Sequence, residues 1–193
     1  GTGASQLDMQ TGAYGTSANS HGLKLALREM ARHYHVPVNV FGLSSASETL
    51  DAQYGHEATA SGLLAYLSEP DEIYSVGLLG NAQILSLDKM VLDNHLAHQL
   101  EAMVKPILAD EDHVQAELIE RVGIQGHYLN QPETRAFTRR EYVPKWPPDG
   151  QSMLEVAHTQ ALEILHHHQP PPLPDGAAER IEAIVEEAAV KLA

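Results

Sequence analysis

What most constrains this chain is an alternation. From about residue 16 to residue 104, helical periodicity and short β-type runs take turns. Starting at Thr16 or Ser17, the residues Leu23, Ala26, Leu27, Met30 and Ala31 recur at three- and four-residue spacing as far as His33, which predicts a helix with one buried stripe and with Lys24, Arg28 and Arg32 on its other faces. His35 and Pro37 end it, and Val36 to Phe41 (VPVNVF) follows as a strand. A helix rich in small residues, Gly55 to Leu67, stops at Glu69, Pro70 and Asp71, and Glu72 to Gly77 (EIYSVG) reads as the second strand. Ser86 then caps a helix from Leu87 to Val104, whose apolar face is expected to carry Met90, Val91, His95, Leu96, Leu100 and Val104. Strands separated by helices in this way predict an α/β chain with parallel strands and right-handed crossovers.

The segments after the two strands therefore hold the most interest, because α/β proteins build their sites at the C-terminal ends of parallel strands. After the first comes Leu43 to Glu57, LSSASETLDAQYGHE, where Asp51, Gln53, Tyr54 and Glu57 put two acids, an amide and an aromatic ring at a helix start, a composition able to hold a cation. The plainer reading is that Asp51 and Glu57 offset the helix dipole, with Gln53 and Tyr54 as ordinary helix-start residues. After the second comes GLLGNAQ, where Gly77 and Gly80 suit either close ligand approach or a tight turn, and Asn81 and Gln83 a polar rim. Lys89 and Asp93, at i and i+4, read as a surface pair. Leu7 to Gly15 is a glycine-bearing loop containing Asp8 and Tyr14.

The second half is helical, with no strand expected after Gly77. Helices are predicted over Glu111–Val122, Pro132–Tyr142, Gln151–His168 and Ala177–Leu192, separated by GIQGHYLNQ, VPKWPPDG and QPPPLPDG. The connecting segments are short, so residues 107–193 are expected to form a helical tail packed on residues 1–106.

Composition removes several functions. Twelve Lys and Arg against 26 Asp and Glu leave a net charge of -14, which disfavours nucleic acid and anionic membrane surfaces. The chain has no cysteine, which excludes thiolate metal sites and cysteine nucleophiles. No apolar run is long enough to span a bilayer and no signal-peptide pattern is present, so a cytoplasmic location is expected. Among the 12 histidines, His95 and His98 share a helical face and His166 to His168 are consecutive; neither spacing is that of a metal site, and no metal is expected. The first residue is Gly1 rather than Met, and the segment after it reads as a strand exit with nothing in front, so the chain is expected to be a piece of something longer.

Four separated motifs carry a resemblance to a known family. LDMQTG with Gly15 downstream, SSASETLDAQYGHE, GLLGNAQILSLDKMVLDN and VGIQGHYLNQPETR resemble, in that order, the C-terminal portion of the trimethylamine methyltransferase (MttB-like) family. The resemblance implies roughly the last two fifths of a TIM (βα)8 barrel protein, since two and a half βα units cannot close a barrel that needs on the order of 250 residues. It also implies transfer of a methyl group from a small methylated amine to the cobalt of a corrinoid (cobalamin) held by a partner corrinoid protein, with no corrinoid bound directly, in methanogenesis-related metabolism. Archaeal members use pyrrolysine, which is absent here; Ser44 to Ala46 is read as the region of its counterpart, and the branch without it is associated with quaternary amines such as glycine betaine, carnitine or proline betaine. On this resemblance Asp51, Gln53, Tyr54, Glu57 and Tyr14 are candidates for substrate binding, and Asp8, Gly77, Gly80, Asn81 and His127 for corrinoid-facing loops. No catalytic side chain is assigned. An upstream barrel half or a homo-oligomeric copy is a conceivable further partner. The competing reading is a non-catalytic half-barrel interaction module derived from the same family.

Overall fold

A computed structural model of the chain describes residues 6–7, 9–10, 12, 14–15, 18–140 and 145–192. By chain contacts it divides into two compact units, residues 1–161 and 162–193. In the first, β1 (Gln6–Leu7) and β2 (Tyr14–Gly15) form an antiparallel pair, α1 (Ala18–Tyr34) follows, and β3 (Asn39–Phe41) leads through the segment of interest into α2 (Ala52–Leu67). Then come β4 (Glu72–Tyr74), β5 (Leu78–Leu79), β6 (Ile84–Leu85) and α3 (Leu87–Val104). Four helices complete the unit or extend from it: α4 (Glu111–Val114), α5 (Ala116–Val122), α6 (Pro132–Arg140) and α7 (Met153–His167). In the second unit, α8 (Ala177–Leu192) follows the proline-rich linker.

The architecture is mixed α/β with small sheets. β3 and β4 pair in parallel, Val40 opposite Ile73, as the alternation implied. Their core is small: Ala31 from α1, Val40 from β3 with Val38 just before it, and Ala65 from α2 are buried, with Ile73 packed against them. Small residues let α2 lie close. A Cβ on Gly62 would fall 2.7 Å from both Leu43 Cδ2 and Leu100 Cδ1, so a side chain there collides with the β3 exit and with α3 at once.

Several sequence expectations need correction. β5 and β6 are strands after Gly77, paired antiparallel with Leu78 opposite Leu85; positive φ at Gly80, Asn81 and Ala82 turns the chain between them. The single helix expected over Glu111–Val122 is two, because Gln115 adopts a left-handed conformation at φ 53°. α2 starts at Ala52, three residues early, because Asp51 caps it.

On α1 the expected stripe holds at Ala31 but not at Leu23 or Met30, and on α3 it holds at Val91, Leu96 and Leu100 but not at Met90. On α1, Leu23 and Met30 are about half exposed, whereas His21, Lys24 and Ala31 are buried. On α3, Met90 is exposed while Lys89, Leu92, Asp93 and Leu100 are buried. On α3 partners on the β3 exit, the β4 exit and α2 receive the polar pair, and on α1 Lys24 meets the Ser61 carbonyl of α2. No described helix is long and apolar enough to cross a membrane.

Candidate functional site

The segment after β3 is buried. Leu43, at φ 55°, turns the chain, and Leu43, Ser44, Ser45 and Ser47 are each less than a tenth exposed. Burial of so many polar groups requires partners, and α2 supplies them. The Ser44 N–H donates to Ser61 Oγ at 2.9 Å. Glu57 Oε2 accepts from Ser45 Oγ at 2.9 Å and from the Ala46 N–H at 2.7 Å, while its Oε1 accepts from Gln53 Nε2 at 3.0 Å. Burial opposes the Glu57 charge, but the Ala46 N–H, then Gln53, Ser45 and His21, outweigh it and hold the carboxyl below its usual range. Across the loop, Gly80 N–H donates to the Ser47 carbonyl at 2.8 Å and Asn81 N–H to the Ser45 carbonyl at 3.1 Å. The loops after the two parallel strands are thus stitched to each other.

A second cluster ties both loops to α3, and it differs from the sequence reading. Lys89 and Asp93, expected at the surface, form an ion pair with no exposed side-chain area. The Lys89 ammonium also donates to the Leu43 carbonyl at 2.8 Å, and Asp93 accepts from the Gly77 N–H at 2.8 Å and from the Tyr54 hydroxyl at 3.0 Å. Two charges therefore hold the β3 exit, the β4 exit and α2 on one helix. Burial pushes Asp93 up and Lys89 down, each countered by the other's charge. Burial together with the Asp93 charge pushes the Tyr54 hydroxyl well above its ordinary value. Neither Lys89 nor Asp93 reaches solvent, so their part is to position the loops. Spacing alone gave no signal for this, since any i, i+4 Lys–Asp pair looks the same in sequence.

The candidate residues separate. Asp51 is the α2 N-cap, accepting from the Tyr54 N–H at 2.9 Å, and that bond, with help from Ser47 and Thr49, lowers its carboxyl below the usual range. Gln53 and Glu57 are joined, whereas Tyr54 points inward to Asp93. Asp51 and Tyr54 border a cavity of about 320 Å³ that Leu50, Leu92, Leu96 and Met153 help to wall. His95 also lines it and stacks on Trp146, ring centres 3.6 Å apart. Gly77 and Gly80 both have positive φ and serve the turn; beside them the buried Asn81 Oδ1 has no hydrogen-bond partner among the described residues. His127 lies apart, exposed between α5 and α6, with its ring 3.4 Å from Asn130. Asp8 and the Tyr14 side chain lie outside the described residues.

Two residues of α1 join the site: Lys24, expected on a face away from the buried stripe, and His21, which the sequence pattern did not single out. His21 and Lys24 of α1 are both 6% exposed, against α2. Among the described residues Lys24 Nζ reaches only the Ser61 carbonyl, at 3.5 Å. Burial lowers its pKa to about 8. Burial and the Lys24 charge lower His21 to about 4 against the opposing pull of Glu57. Among the described residues no group of three or more His, Asp or Glu is placed to hold a metal ion.

Comparison with known proteins adds the family. The sequence model described as trimethylamine methyltransferase (MTTB) matches residues 1–192. The chain belongs to the trimethylamine methyltransferase family. Among its relatives in that family, the trimethylamine methyltransferase MttB of Methanosarcina barkeri (strain Fusaro / DSM 804) is 28% identical over 97% of this chain and 40% of its own length. The MttB protein of Desulfitobacterium hafniense (strain DSM 10664 / DCB-2) is 27% identical over 86% of this chain and 35% of its own. A protein named glycine betaine methyltransferase, from Desulfitobacterium hafniense (strain Y51), is 28% identical over 90% of this chain and 40% of its own. The chain thus spans about two fifths of the length of the curated relatives it matches.

Proposed function

We propose that this chain is part of a methyltransferase that moves a methyl group from a small methylated amine, a quaternary one such as a betaine, to the cobalt of a corrinoid carried by a partner protein. The observation carrying this reading is the family match across residues 1–192, with relatives whose names specify trimethylamine and glycine betaine. A fold formed by the C-terminal βα units of a TIM barrel is supported by the parallel register of β3 and β4 and by the bonds joining the loops that follow them.

Chemistry favours the quaternary substrate. When a nucleophile takes a methyl group from a quaternary nitrogen, the nitrogen leaves as a neutral amine, whereas a neutral tertiary amine would leave as a poor amide-like anion. The reduced corrinoid cobalt supplies the nucleophile. What remains for the protein is to hold the ammonium in line and to exclude water. Asp51, Gln53, Tyr54, Glu57 and Tyr14 are the side chains proposed for this, through carboxylate charge and aromatic faces. Asp8, Gly77, Gly80, Asn81 and His127 are proposed to lie on the approach of the corrinoid.

The test is methyl transfer to cob(I)alamin, followed by absorbance, with the full-length protein and glycine betaine, carnitine, proline betaine or trimethylamine as donor. Turnover with a quaternary donor is expected. A well-folded protein that methylates cob(I)alamin from none of them, and whose melting midpoint none of them raises, refutes the reading and favours the non-catalytic interaction module.

A further inference from the structure

We propose that His21 and Lys24, on the face of α1 that packs against α2, form a binding site for a small carboxylate, which in the methyltransferase reading is the carboxylate of the betaine substrate. The argument begins with charge. A buried ammonium is costly unless an anion or several acceptors surround it. Lys24 is 6% exposed and forms no ion pair within the described residues, and its one polar contact is the Ser61 carbonyl at a long 3.5 Å. Three residues earlier, one helical turn away, His21 is buried to the same degree and its Nδ1 has no partner among the described residues. One further turn beyond Lys24, the Nε of Arg28 is also buried and has no partner among them. Unsatisfied nitrogens in a row on one helix face are what a carboxylate would complete, accepting from the ammonium with one oxygen and from the imidazole with the other.

The place suits a zwitterionic substrate. Ser61, which Lys24 contacts, also receives the Ser44 N–H, and Glu57, whose charge acts on His21, holds Ser45 and Ala46. The cationic face of α1 therefore lies next to the loop proposed to meet the substrate, and the Glu57 carboxylate that anchors that loop is close enough for its charge to act on His21. A betaine carries a carboxylate and a quaternary nitrogen a few ångströms apart, so it offers an anion to the α1 nitrogens and a cation to a carboxylate such as Glu57. Choline has the same nitrogen and no carboxylate.

This inference rests on the methyltransferase reading only for the identity of the carboxylate, and the test separates the two. Calorimetric titration of the full-length protein compares glycine betaine, choline and 3,3-dimethylbutanoate, which keeps the carboxylate but replaces the quaternary nitrogen by carbon. Betaine is expected to bind at least about tenfold more tightly than choline, and Lys24→Met to remove that advantage, the loss expected for a charged hydrogen bond. Lys24-dependent binding of 3,3-dimethylbutanoate supports the site even if no amine is demethylated. Demethylation of betaine with equal affinity for choline, or with unchanged betaine affinity in Lys24→Met, overturns the site and leaves the activity standing. A melting midpoint lowered by Lys24→Met in the ligand-free protein also overturns it, because an ammonium without a partner should be neutral or unfavourable to folding. His21→Phe keeps a ring in that position and tests the second donor; it is expected to weaken betaine and leave choline unchanged.

Discussion

Replacing Asp93 by Leu tests the view that the α3 ion pair is the anchor of both loops. The change removes the carboxylate paired with the Lys89 ammonium and leaves the Tyr54 hydroxyl and the Gly77 N–H without their acceptor. Breaking one side of a buried ion pair costs about 3–5 kcal/mol, because the surviving charge stays buried and unpaired. With a urea slope of about 2 kcal/mol per molar, the unfolding midpoint should fall by about 2 M. Lys89→Met should lose a similar amount, since Asp93 keeps two donors but the Leu43 carbonyl loses its own. The double variant Lys89→Met/Asp93→Leu removes both charges at once, and it should be more stable than the sum of the single losses implies, by about 1–3 kcal/mol. The assay is fluorescence of the single tryptophan, Trp146, which is stacked on His95 in the same unit. Single-variant midpoints shifted by less than about 0.5 M, or strict additivity in the double variant, would refute the anchor.

Other perturbations follow from the same geometry. Because His21 titrates near 4 when folded and 6.5 otherwise, the unfolded chain binds more protons between those values, so stability should rise with pH through that window, by about 3 kcal/mol in all; His21→Phe should flatten that rise in pH-dependent melts. Lys24, lowered from 10.5 to about 8, should likewise add stability as pH climbs from 8 to 10.5, and Lys24→Met should abolish that upper step. Gly62→Ala should cost about 1–3 kcal/mol by collision with Leu43 and Leu100, whereas Gly55→Ala, on the same helix in open space, should gain about 0.5–1 kcal/mol; equal effects in urea melts would rule out the close approach of α2. Ser86→Ala should cost about 1 kcal/mol by freeing the Lys89 N–H at the start of α3, detectable as a lowered melting midpoint that Ser86→Asp restores.

The sequence by itself determined the helices α1, α2 and α3 and the strands β3 and β4 between them, the parallel sense of that strand pair, the Ser86 cap and, through four spaced motifs, the family, but not the short β5–β6 pair. These are local or periodic properties, written in residues close together in the chain. It misjudged what depends on neighbours far away. The Lys89–Asp93 pair read as a surface bridge, yet Leu43, Tyr54 and Gly77, 16 to 46 residues distant, supply the partners that let two charges be buried. The buried face of α1 was assigned to Leu23 and Met30, although the hydrophobic pattern is blind to which side another helix will cover, and α2 covers the side that carries His21 and Lys24. Asp51 and Tyr54, adjacent in the same candidate motif, part company because one caps α2 from outside while the other turns toward Asp93. Only tertiary contact decides whether a polar side chain is solvated, paired or left waiting for a ligand, because burial makes each of those states differ by several kcal/mol while the local sequence remains the same.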